Sequence, residues 1–436
     1  MENSNTGMIQ YSNTGNVIRS KVLVNLIFLS ILVLIDLTPI LERNLHPLIH
    51  LGVFALWFVS SRGLPVQNGN EIPAEMLRWW GIYTFWVIFM CLIRHSNISP
   101  KHYISTLYFY FIPYMMVVVL KSYNIREIKL LWKIFFIVFM VNLIQNYIIG
   151  FNNPDAFRLR DALDKSDNYF SNAGGTRFVT ACLFMAPVFW LIIQGSTKRS
   201  LRQIMTIGVI LIAVYISIIN NRATATVILF VEMFMLLLLR YILHNVKSFV
   251  SIGVVLAILF IVSFFFLDDI LELSINIFGN NERFLQRLED MKTVSGGTNI
   301  EDLEEGSLSA RYFLWMTSVN TFLSSVPNFL FGVGIDVHEG DIWSLVNYGV
   351  GCHSEFFDLP AKFGIIGVFI VYKFLSSFIQ FTWKLSGSEK QKKIIVIFWL
   401  GFIFYSFVNG SFAAPVFYVL FIFLPTSIVL VNNKII

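Results

Sequence analysis

The groups best able to do chemistry lie in one polar stretch, residues 307–367, which reads SLSARYFLWMTSVNTFLSSVPNFLFGVGIDVHEGDIWSLVNYGVGCHSEFFDLPAKFGIIG. It gathers a fixed cation (Arg311), a titratable imidazole (His353), two carboxylates (Glu355 and Asp358) and turn glycines at Gly332, Gly334, Gly349 and Gly351. A guanidinium stays protonated and presents a planar fork that donates to phosphate oxygens in pairs. An imidazole exchanges its proton near neutral pH, which suits general acid or base work. Glu355 and Asp358 are alternative bases. Two further arginines stand at the ends of apolar runs, Arg177 in GGTRFVTA and Arg222 in NNRATATV. Arginines at several such ends are able to grip a diphosphate together at the level of the lipid headgroups. The small residues after Arg222 allow close helix approach or a ligand beside the backbone.

Each of these residues also has a plainer reading. Arg311 can balance Glu304 and Glu305 on a helix surface, and Arg222 can be an interfacial arginine that snorkels to water. A lone histidine is commonly a structural residue, and His338 rivals His353. His338, His353, Glu355 and Asp358 make no compact ligand set, so no metal and no cofactor are expected.

The elements that must position these groups are membrane helices. The chain has 436 residues, of which 56% are hydrophobic and 14% charged. A soluble domain carries about 25% charged residues, so the composition excludes one. Between residues 268 and 360 there are fifteen Asp or Glu against four Lys or Arg, a balance of −11, which leaves +16 on the remainder of a chain whose net charge is +5. No basic patch interleaves with aromatics in a polar segment, which argues against nucleic acid as a partner. Three cysteines, Cys91, Cys182 and Cys352, make no disulfide framework.

Apolar runs long enough to span a bilayer fall near 20–40, 45–61, 76–93, 103–121, 129–150, 175–194, 203–220, 223–242, 249–267, 361–383, 394–411 and 413–431. Pro47 shortens the second. The expected fold is therefore all-α, with about twelve transmembrane helices. It divides into an N-terminal bundle (1–267), a large periplasmic loop (268–360) and C-terminal membrane helices (361–436). The first apolar run reads as a retained signal-anchor. Lys198, Arg199 and Arg202, then Arg240 and Lys247, then Lys384, Lys390, Lys392 and Lys393 fall in loops that alternate to one side. By the positive-inside rule that side, and both termini, are cytoplasmic. Within the outer loop, 281–291 reads as an amphipathic helix, 296–306 as an acidic glycine-rich linker, and a helix capped by Ser307 or Ser309 runs to about Ser325, before Pro327. Glu232 and Lys373 lie ten and about twelve residues inward from the outer surface, close to mid-membrane. Isolated charges are costly there, so the two are expected to pair.

The order of these features resembles a known family. An arginine opens a span (NNRATATVILF), and a long outer loop follows. Then come Arg311-x-x-x-Trp315, Pro327 followed by LFGVG, and HSEFFDLPAKFGIIG leading into the next span. The pattern is similar to the O-antigen polymerase and O-antigen ligase superfamily of bacterial inner-membrane glycosyltransferases, over about residues 219–371. Members usually show a His-Asn pair and a Ser-Arg-Gly-like triplet, where this chain has His353-Ser354 and Asn221-Arg222-Ala223. The resemblance implies a GT-C-like membrane fold and polymerisation of undecaprenyl-diphosphate-linked oligosaccharide on the periplasmic side, without metal. Arg222 and Arg311 would bind the diphosphate with help from Arg177, and His353 would orient or deprotonate the acceptor hydroxyl. A ligase acting on a lipid core, or a flippase for the lipid-linked oligosaccharide, are the alternatives. Partners implied are the lipid-linked oligosaccharide, membrane lipid and a chain-length regulator protein.

Overall fold

The computed structural model describes residues 16–37, 46–62, 72–94, 110–152, 308–334, 348–351, 354–410, 412 and 414–434, with single helical positions at 188, 191, 208, 211 and 232. All regular structure among the described residues is helical. Helices α1 (Asn16–Leu37) and α2 (His46–Arg62) form an antiparallel hairpin. It is pinned at both ends by buried polar contacts. His50 Nε2 meets Asp36 Oδ1 at 2.5 Å, and Ser61 Oγ donates to Asn25 Oδ1 at 2.8 Å. Pro47 does not break α2, because it sits in the first turn, where no intrahelical N–H bond is required of it.

Helix α3 (Ala74–Ile93) is followed by α4 (Ile112–Ser122) and α5 (Ile125–Asn152). A reciprocal cap opens α5. Asn124 Oδ1 accepts from the Glu127 amide, and the Glu127 carboxylate accepts from the Asn124 amide. Two polar-region helices follow, α6 (Leu308–Leu323) and the short α7 (Val326–Phe331). Pro327 lies in the first turn of α7, which Ser325 caps by accepting from Asn328 N–H. The proline that ends the expected helix thus begins another.

The long α8 (Glu355–Leu385) and α9 (Glu389–Val408) come next. The final rod consists of α10 (Ala414–Tyr418), a π-helical turn at Val419–Phe423 and α11 (Leu424–Asn432). It packs against α5, where Trp132 stacks on Phe423 at 5.7 Å and donates through Nε1 to Ser427 Oγ at 3.0 Å, and against α8, where Phe421 stacks on Phe374 at 5.6 Å.

Helices α3 and α8 are long and apolar enough to cross a membrane. They pack against each other along their lengths, with Trp79 on Phe369, Tyr83 on Phe374 and Trp86 beside Gly367. Expected spans at 175–194, 203–220, 223–242 and 249–267 lie outside the described residues apart from the single positions named above, as do 281–291 and 296–306.

The expected pairing of Glu232 with Lys373 does not occur. The Lys373 ammonium lies over the rings of Trp79 and Phe369, 6.0 and 5.6 Å from their centroids. Glu232 is buried with its carboxylate against Gly401 of α9, where its two oxygens have no hydrogen-bond partner among the described residues. Similar depth placed both groups near mid-membrane, but depth does not say which helices are neighbours.

Candidate functional site

The N-terminal end of α8 is built around a break in its own backbone. Gly364 adopts φ 63° and ψ −176°, four residues after Pro360, and interrupts the helix there. The carbonyls of Ala361 and Lys362 would otherwise accept from residues 365 and 366. They accept instead from the amides of Val333 and Gly334, at 2.8 and 2.9 Å. Those amides belong to the LFGVG turn that leaves α7. The two backbones cross with a glycine on each side. A Cβ on Gly332 (φ 77°) would collide with the Lys362 carbonyl, and one on Gly364 with the Leu330 carbonyl. Glycine at both positions permits this close crossing just past the first turns of α8.

Those turns carry Glu355 and Asp358, both buried. Asp358 Oδ1 accepts from Ser318 Oγ of α6 at 2.6 Å, and Oδ2 accepts from the Ser354 amide at 3.0 Å. Ser318 Oγ accepts in turn from the Gly351 amide at 2.9 Å, while Thr321 Oγ1 accepts from the Gly349 amide at 2.7 Å. A hydrogen bond to a charged group contributes about 1.5–3 kcal/mol, so this buried set holds the loop firmly to α6 and α8.

Glu355 faces the other side. Its Oε1 lies 3.4 Å from Lys362 Nζ, and its Oε2 accepts from the Phe412 amide at 3.2 Å. Its own amide donates to the Asn409 carbonyl at 3.1 Å. One residue therefore ties α8 to the turn between α9 and α10. Tyr83 and Tyr110, whose hydroxyls are 3.4 Å apart, lie beneath this cluster, with Tyr83 against Phe412. An aromatic wall completes the end: Trp315 of α6 packs against Phe357 of α8 and Phe407 of α9, at 5.6 and 5.5 Å between centroids.

The structure brings together Glu355 and Asp358 but does not describe every expected site residue. Arg311 is the fourth residue of α6, one turn before Trp315 on the helix whose Ser318 meets Asp358; its side chain lies outside the described residues. Arg177, Arg222 and His353 also lie outside them. Gly351 and Ser354, which flank positions 352 and 353, are both described and both anchored. Among the described residues no group of three or more His, Cys, Asp or Glu is placed to hold a metal ion.

Sequence reasoning missed Ser318, Thr321, Lys362 and the backbone of Asn409 and Phe412. Ser318 and Thr321 left one visible trace. They are hydroxyls three residues apart on a largely apolar helix, with Ser318 seven residues after Arg311 and three after Trp315, on the same stripe.

Residues 207–372 match a family model described as O-antigen ligase. That match, over less than half of the chain, supports a relationship to the O-antigen ligase and polymerase superfamily. No curated protein matches the chain. The matched stretch takes in Arg222, α6, α7, the glycine crossing and the first half of α8, while Arg177 falls before it. Members of this family are glycosyltransferase-like enzymes of membrane polysaccharide biosynthesis.

Proposed function

We propose that this protein is a metal-independent glycosyltransferase that polymerises oligosaccharide repeat units carried on undecaprenyl diphosphate, working at the periplasmic face of the bacterial inner membrane. The observation that carries the reading is the family match over 207–372, which contains Arg222, Arg311 and His353 together with the braced end of α8. The acceptor hydroxyl of one lipid-linked repeat attacks the anomeric carbon of another chain. The bond from that carbon to the phosphate oxygen breaks, and undecaprenyl diphosphate leaves with the electron pair. Arg222 and Arg311, with Arg177 assisting, neutralise the charge that develops on the leaving group. His353 accepts the proton of the attacking hydroxyl. Glu355 and Asp358 are less suited to be that base, because each of their oxygens already accepts a hydrogen bond or faces Lys362.

One observation favours a second reading. The matched model is described as an O-antigen ligase; on that reading the glycan is transferred once, to a lipid core. Purified protein incubated with its lipid-linked oligosaccharide separates the two. A ladder of lengthening glycans supports the polymerase. A single transfer that requires added lipid core supports the ligase. Translocation with no new glycosidic bond overturns both.

A further inference from the structure

Resting on the transferase reading, we propose that Asp358 and Ser318 are positioning residues that hold the segment carrying His353 against the helix that carries Arg311. Gly351 and Ser354 lie on either side of positions 352 and 353, and their amides end on one carboxylate. Ser354 N–H donates directly to Asp358 Oδ2 at 3.0 Å. Gly351 N–H donates to Ser318 Oγ at 2.9 Å, and Ser318 O–H donates to Asp358 Oδ1 at 2.6 Å. Asp358, Ser318 and Ser354 are 1%, 0% and 0% exposed.

The loop has no slack toward α6, since a Cβ on Gly351 would strike the Leu314 carbonyl. One turn further along α6, Thr321 holds Gly349 in the same way. Ser318 follows Arg311 by seven residues on one helix stripe, so a single rigid element sets the anion-binding arginine and the proton-transfer segment relative to each other. A general base must reach the substrate proton, and Asp358 is sealed inside the protein with both oxygens engaged. Its carboxylate therefore acts through the backbone it holds.

Two readouts on the full-length protein in detergent test this. The first needs no activity: hydrogen exchange of the peptide covering 348–354 in wild type, Asp358→Asn and Ser318→Ala. Positioning predicts exchange at Gly351 and Ser354 faster by on the order of tenfold or more in both variants, with peptides from 389–408 unchanged. Unchanged protection in both variants overturns the proposal. The second is the pH dependence of glycan transfer. Positioning predicts that both variants lose kcat by on the order of tenfold with KM little altered, that the double variant is no worse than the poorer single one, and that the acidic limb of the profile persists. Loss of that limb in Asp358→Asn, with Ser318→Ala like wild type, makes Asp358 the base and overturns the proposal. A wild type inactive on lipid-linked glycan sinks the transferase reading, and with it the functional role of Asp358 and Ser318, while the exchange result still decides the anchoring by itself.

Discussion

The two ends of α8 differ in kind. Its C-terminal end closes conventionally: Ser386 and Gly387 form a short link, Ser388 caps α9 by accepting from Gln391 N–H, and Asn432 donates to the Leu385 carbonyl at 2.6 Å. Most of its charges are peripheral, as in the Glu389–Lys392 pair, where Glu389 is 68% exposed, and one lysine, Lys393, is buried. The N-terminal end has a broken helix, two carbonyls satisfied by another segment, two buried carboxylates and a loop held by hydroxyls. Helix breaks and buried charges are expensive, and a chain that only needed to turn round at the membrane surface would do as the other end does. On the proposed function, the N-terminal end is the one shaped for chemistry.

The largest effect that would break this contrast is at the glycine crossing. Gly364→Ala places a Cβ at positive φ and into the Leu330 carbonyl, and should cost about 2–5 kcal/mol. The check is thermal denaturation in detergent; a melting point equal to wild type would mean that the crossing is not rigid. Arg222→Lys comes next. It retains charge and loses the fork, so glycan transfer should fall by on the order of a hundredfold or more with normal expression, read as initial rate.

Glu355→Gln should destabilise more mildly, by about 1–3 kcal/mol. It removes the charge facing Lys362 and keeps an acceptor for Phe412 N–H. Chemical or thermal denaturation reads it, and proteolysis near 409–412 should speed up in parallel. Smallest of all is Lys392→Ala at the opposite end, which should change stability by no more than about 1 kcal/mol and leave transfer unaffected. A Lys392→Ala variant as damaged as Glu355→Gln would erase the distinction between the ends.

Much of this was legible in the chain. Apolar run length picked out α1, α2, α3, α5, α8, α9 and the final rod as helices, because a helix satisfies the backbone of a long apolar run internally. The glycines of LFGVG announced a tight turn. Gly364 did not announce a break, since a glycine inside FGIIGVF is ordinary in a membrane helix; what unwinds it is the LFGVG backbone, contributed from some thirty residues away. The carboxylates were visible as chemical groups but not as anchors. Their partners are a hydroxyl forty residues earlier and an amide fifty-seven later, and no local pattern encodes such distances. Glu232 and Lys373 failed for the same reason. Each was placed by depth, and each found its neighbour on a helix that depth cannot select.

The most direct measurement couples the two products of the reaction: undecaprenyl diphosphate released and glycan extended, from one purified protein, in wild type and Arg222→Lys. Glycosyl transfer from the diphosphate carrier predicts equal amounts of both in wild type, and loss of both together when the guanidinium is replaced. Arg222→Lys turning over at the wild-type rate, or glycan crossing the membrane with its diphosphate bond intact, would contradict it.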